Sequence, residues 1–185
     1  MGFEAQSEET PLTPEQEEQL KAVALASAPK DLEAADSAKT DEELFYAVPS
    51  AAMGAYLLGE HDRAKTLAEK ALALAPSFQR NWNYGNALHF AHSVLGLLAL
   101  DSGDVSTAVE ELKKAGATPG SPQLDSFGPT MQLARRLLRS GQSEAVLTYF
   151  QQCRSFWKMG GVWLELWEAK VRRGDLPNFF MHAYR

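Results

Sequence analysis

The sequence predicts an all-α fold made of antiparallel helix pairs, and three observations predict it. Apolar residues recur with a 3.6-residue period in every ordered stretch, and none alternates as a strand would. Glycines 59, 103 and 141 are each followed, at offsets of five, nine and twelve, by small or apolar residues. These are Ala64, Ala68 and Ala71; Ala108, Leu112 and Ala115; and Val146, Phe150 and Cys153. Upstream, Leu95-Gly96 and Leu133-Ala134 stand eight and seven residues before Gly103 and Gly141. Small residues there let two helices approach closely, while the glycine supplies the left-handed turn between them, so positive φ is expected at Gly59 and Gly103.

Residues 1–12 are polar and acidic and are expected to be a disordered leader. Residues 13–185 read as one domain: a capping helix within 13–40, repeats over 41–174 and a tail over 175–185. Thr13-Pro14-Glu15-Gln16 is a helix start, with threonine as cap, proline in the first turn and Gln16 placed to close a capping box. That helix is expected to end near Ser27, at Ala28-Pro29. Thr40-Asp41-Glu42-Glu43 repeats the start signal, and the segment runs on to Leu58 with a kink or interruption expected at Pro49. Asn81 to Leu100 reads as one twenty-residue helix. Gly116 to Pro129, rich in glycine and proline, reads as a loop. A loop of that length is normally pinned, so Phe127 is expected to be buried and Asp125 to hydrogen-bond the long helix.

The glycine-centred register resembles the tetratricopeptide repeat, a helix–turn–helix unit of roughly 34 residues. The resemblance covers about residues 44–174 and implies a right-handed superhelix, or α-solenoid, of three to four units. Glycines 59, 103, 141 and 174 are spaced 44, 38 and 33 apart, so the units are irregular. Asn83-Tyr-Gly-Asn86, Leu124-Asp-Ser-Phe-Gly-Pro129 and Tyr149-Phe with Cys153 and Phe156-Trp157 also look like an uncharacterised bacterial tetratricopeptide-like family. That likeness carries architecture and no activity.

Composition narrows the function classes. Of 185 residues, 45% are hydrophobic and 10% aromatic, enough for a packed core. No apolar run is long enough to span a membrane. The N-terminus has no basic start and no apolar stretch, which points to a cytoplasmic protein, although such a start also fits one whose signal peptide has been removed. The single cysteine, Cys153, is incompatible with internal disulfides and multi-cysteine metal sites, and as a helical packing residue it reads as an inert thiol. Residues 1–45 hold twelve acidic and three basic side chains, a balance of −9, whereas residues 46–185 hold twelve and fifteen, a balance of +3. A dense basic patch is therefore missing, and nucleic acid is not an expected partner.

Several residues could form a site. Trp82, Asn86, His89 and Ser93 share one face of the long helix by spacing. In tetratricopeptide register Phe90, Ser93, Leu97 and Leu100 are expected to look into a concave groove, with Asn86 and His89 at its upper end. The sharp reading makes His89 a proton carrier in a small-molecule pocket between helix 81–100 and loop 116–129. The favoured reading has His89 and Asn86 tying down the loop and holding Asp125. His89 and His92 lack a third ligand, so no metal is expected. Arg135 and Arg139, one turn apart, suit a carboxylate, a phosphate or an acidic peptide, or else form a solvated face. The C-terminal aromatics, ending in Phe179-Phe180, read mainly as core, with an apolar edge for self-association as the alternative. Phosphate-cradling loops, nucleophile elbows and zinc-protease motifs are absent.

The reading this supports is a non-enzymatic interaction module without a cofactor, binding a partner peptide, acidic or carboxylate-bearing, in a groove carrying Asn86, His89, Phe90, Ser93, Arg135 and Arg139. Asp125 and Phe127 are the loop candidates. The rivals are the small-molecule site and a structural subunit of a larger assembly.

Overall fold

The computed structural model describes residues 10–184; the expectation for the leader therefore lies outside the described residues except at Thr10–Leu12. Those residues are all-α, with no strand. In order the helices are α1 (Pro14–Asp36), α2 (Asp41–Leu57), α3 (His61–Leu74), α4 (Tyr84–Asp101), α5 (Val105–Gly116), α6 (Pro122–Phe127), α7 (Gln132–Arg139), α8 (Ser143–Phe156) and α9 (Gly161–Arg172). Short 3-10 turns follow at Ala75–Phe78, Lys158–Gly160 and Phe180–Ala183.

Helices other than α6 pack on a chain neighbour: α1 on α2, α2 on α3 and α4, α3 on α4, α4 on α5 and α7, α5 on α7 and α8, α7 on α8, and α8 on α9, while α6 meets α4 and the Lys158–Gly160 turn. This nearest-neighbour pattern is the one a stacked helical array produces. Gly59, Gly103, Gly141 and Gly174 all have positive φ, between 78° and 84°. At each of the first three, the backbone N–H two positions before the next helix or closer bonds back to the preceding one, as in Gly59 N–H to the Tyr56 carbonyl. The residues five, nine and twelve positions after those glycines are all buried. Gly96 is small for a reason: a Cβ there would lie 2.3 Å from Leu133 Cδ2.

The sequence expectations need correction at four places. α1 does not end at Ala28-Pro29 but runs to Asp36 with Pro29 inside it. Pro29 is on the solvent side, so water can satisfy the carbonyl it leaves without an N–H, while Ala28 packs against Gly54 of α2. Pro49 likewise sits inside α2 without ending it. The long helix begins at Tyr84 rather than Asn81, because Asn81 Oδ1 accepts from Asn83 N–H in a turn and Asn83 Nδ2 donates to the Phe45 carbonyl. Finally, the 116–129 segment contains α6, started by Ser121 Oγ accepting from Leu124 N–H and by Pro122 in the first turn.

That short helix inverts the roles expected of its side chains. Phe127 is 61% exposed, and Leu124 is the buried anchor. Asp125 Oδ1 accepts from Lys158 N–H at 2.8 Å and does not bond α4. The body beneath α6 meets Leu124, at 1% exposed, and leaves Phe127 toward solvent. Phe127→Ala is accordingly expected to cost less than about 1 kcal/mol, against roughly 2–4 kcal/mol for Leu124→Ala, as read by guanidinium unfolding.

The C-terminal aromatics form core rather than an edge. Phe179 is fully buried, edge-on to Phe150 and Trp167, with its own φ at 57°. His182 lies between Trp157 and Trp167, and its carbonyl accepts from Met131 N–H at 2.8 Å. The tail thus folds back onto the start of α7.

Candidate functional site

Residues of α1, α2, α4, α6 and the returning tail enclose a trough of about 520 Å³. Leu20, Val23 and Ala24 of α1 face Met53 and Leu57 of α2, Phe90 of α4 and Met181 of the tail. Polar groups are few: Ser27, Asp31 and Ser50 toward one side, Asn86 and Gln123 on another, Tyr184 at an end.

The polar edge is held from two elements. Asn86 Nδ2 donates to Asn83 Oδ1 at 3.0 Å and to Gln123 Oε1 at 2.7 Å, and Ser121 Oγ donates to Asn86 Oδ1 at 2.7 Å. Both Asn86 amide hydrogens are taken, so its donors position the junction. Gln123 is left with its Nε2 donors, which have no partner among the described residues.

Beyond Tyr184 lies the charged end. Arg135 is 4% exposed; one guanidinium nitrogen bonds Glu17 Oε1 and the other donates to Tyr184 Oη at 3.2 Å. Its guanidinium carbon also sits 5.6 Å from the centre of the Tyr184 ring. Arg139 Nη2 reaches the same Glu17 oxygen at 3.4 Å. One carboxylate oxygen from α1 is therefore shared by both arginines, one turn apart on α7. The intervening Arg136 is committed elsewhere, to Asp101 Oδ1 and to Tyr56 Oη, both at 2.6 Å. Burial outweighs the nearby Arg136 charge and pushes the Tyr56 hydroxyl up to about 12, so it stays neutral.

The remaining sequence candidates divide sharply. Asn86 and Phe90 line the trough. His89 and Ser93 do not: both are buried, and Ser93 Oγ donates to the His89 carbonyl at 2.7 Å. His89 Nδ1 lies 3.1 Å from the Ala115 carbonyl, and Nε2 accepts from Thr130 N–H at 3.1 Å. Those partners assign the neutral tautomer protonated at Nδ1. With both nitrogens on backbone and the ring stacked on Tyr149, the imidazole is a clamp between α5 and the 116–131 connection. It has no proton to exchange with a ligand. His92 Nδ1 meets Glu111 Oε2 at 2.7 Å, a pair that also holds Lys114. The Cys153 thiol is fully buried and pushed up by that burial, which removes it as a nucleophile. Asp125 and Phe127 lie outside the trough.

Sequence reasoning missed Glu17, Gln123, Met181 and Tyr184. The one signal that pointed toward Glu17 was the opposite charge balance of the two parts of the chain. No protein-family model, curated protein or solved structure matches this chain.

Proposed function

We propose that this chain is a protein-interaction module that binds an acidic, partly apolar peptide segment along its concave trough, in keeping with the tetratricopeptide-like architecture its sequence resembles. One observation carries the reading: Glu17 holds Arg135 and Arg139 beside Tyr184, a residue of the apolar trough, so the chain itself displays how a carboxylate on a helix docks there. Apolar side chains of the segment would fill the space among Met53, Leu57 and Phe90, while its carboxylate takes the arginine pair. Among the described residues no helix is long and apolar enough to cross a membrane.

A labelled peptide copying residues 13–28 tests this by fluorescence anisotropy against the full chain. Saturable binding that weakens with salt is expected, and Arg139→Glu should weaken it about fivefold or more without altering the helical spectrum. Equal binding of a copy with glutamine in place of Glu17, or no binding at all, would overturn the proposal.

A second reading is favoured by the trough's size, which falls within the roughly 300–1,000 Å³ typical of small-molecule sites, and by its walls, which include Asn86, Phe90 and Gln123 at the α4–α6 junction. Native mass spectrometry of the purified chain distinguishes it: a retained small ligand, absent from a Phe90→Trp variant that fills the space, would favour this reading.

A further inference from the structure

The contacts of α1 change character at Pro29. After it, Leu32 and Ala35 are buried and, with Ala28 against Gly54, bolt the helix to α2. Before it, no side chain from Pro14 to Ser27 is buried, and Val23 overhangs the trough at 73% exposed. A partly buried stripe, Glu17, Leu20, Ala24 and Leu25, turns toward the body. Pro29 has no N–H, so the Leu25 carbonyl loses its helical partner at the point where the packing changes. Proline within a helix is a common site of bending.

The front half is closed at its own start and moored at that same end. Thr13 Oγ1 accepts from Gln16 N–H at 3.2 Å, and Gln16 Oε1 accepts from Thr13 N–H at 2.9 Å, a closed capping box. That end is moored by Glu17 on Arg135 and Arg139 and by Asn178 Nδ2 donating to the Thr10 carbonyl at 2.7 Å. Both moorings are polar, and the Glu17 side chain is 27% exposed, so water and salt can compete for it.

We infer that residues 14–28 form a lid over the trough, hinged at Pro29 and latched by Glu17 on the Arg135–Arg139 pair. The latch occupies the carboxylate position that the proposed peptide would take, so the inference rests on that reading for its biological use. The hinge itself stands on geometry. An acidic segment displaces Glu17, the front half swings away from Met53 and Leu57, and the back half stays on α2. Binding and opening are then one exchange of carboxylates.

Hydrogen exchange on the full chain tests the hinge without any peptide. Amides 18–28 are expected to exchange at one common rate, about tenfold or more faster than amides 32–36, with the step at Pro29. Glu17→Gln should speed the front group about threefold or more and leave the back group unchanged. Added salt at about 0.5 M should do the same in the unaltered chain and little in Glu17→Gln. Pro29→Ala, which restores the missing donor, should reduce the step. A smooth gradient from the helix end, or equal acceleration of both groups by Glu17→Gln, would overturn the lid. The two proposals fail separately. Hinge behaviour without peptide capture supports the lid and sinks the peptide module, whereas capture by a front half that exchanges with the back sinks the lid.

Discussion

Gly85→Ala is expected to destabilise the protein by about 3 kcal/mol or more, a drop of roughly 6–12 °C in Tm for a chain of this length. Gly85 lies in the first turn of α4, where the 116–129 connection crosses the helix. A Cβ built there would stand 1.8 Å from the Gly120 carbonyl oxygen, well inside any real contact. Backbone, not a flexible side chain, is what it meets. Gly120 cannot simply retreat, because it holds φ at 85° and a Cβ of its own would lie 2.5 Å from Phe156 Cβ. Nor can the connection slide along the helix, since Thr118 Oγ1 donates to the Gly85 carbonyl at 2.8 Å. The α4–connection junction therefore exists only with glycine at 85. A differential scanning measurement showing Tm within about 2 °C of the parent would mean that the connection is far looser than this packing implies. Because Asn86 and Gln123 belong to the same junction, the variant should also weaken binding of the peptide copy of residues 13–28.

His89→Leu should be comparably severe, at about 3 kcal/mol or more. The substitution keeps most of the volume but strands two buried backbone groups, the Ala115 carbonyl and the Thr130 N–H, each costing roughly 1–3 kcal/mol when unpaired. Thr130 is a focal point of the connection, because its carbonyl also accepts from Tyr149 Oη at 2.9 Å. Loss of the imidazole thus loosens the segment that leads into α7 and carries Arg135. Guanidinium unfolding gives the value, and His89→Gln offers a control, since its amide has one donor and one acceptor end and should recover part of the loss. The contrary result is equally clear: a His89→Leu chain of unchanged stability that has lost only a ligand would return the histidine to a chemical role.

Most of the helices, though not α6, were legible in the residues because they depend on near neighbours. The 3.6-residue period, the capping threonines at 13 and 40, and the glycines at 59 and 103 act within a turn or two, and each appears in the fold where the local pattern puts it. The site was only partly legible. Arg135 and Arg139 could be placed on one face by spacing, and Phe90 and Asn86 by register. Their partner Glu17 lies 118 residues from Arg135 along the chain, and no local window couples the two.

Local residue patterns settle the all-α class, the helix starts at Thr13 and Thr40 and the left-handed turns at Gly59 and Gly103. These follow from backbone preferences and amphipathic periodicity that each short stretch satisfies alone. Only the tertiary structure decided the remaining points. It carried α1 through Pro29, because packing of Ala28, Leu32 and Ala35 on α2 outweighs one missing hydrogen bond on the solvent side. Leu124 rather than Phe127 was chosen as the anchor, because the orientation of α6 is set by the surface beneath it. His89 became a clamp when its two nitrogens met backbone groups from α5 and the connection. Each of these outcomes is a competition among contacts distant in the chain, and their free energies have no expression in the local order of residues.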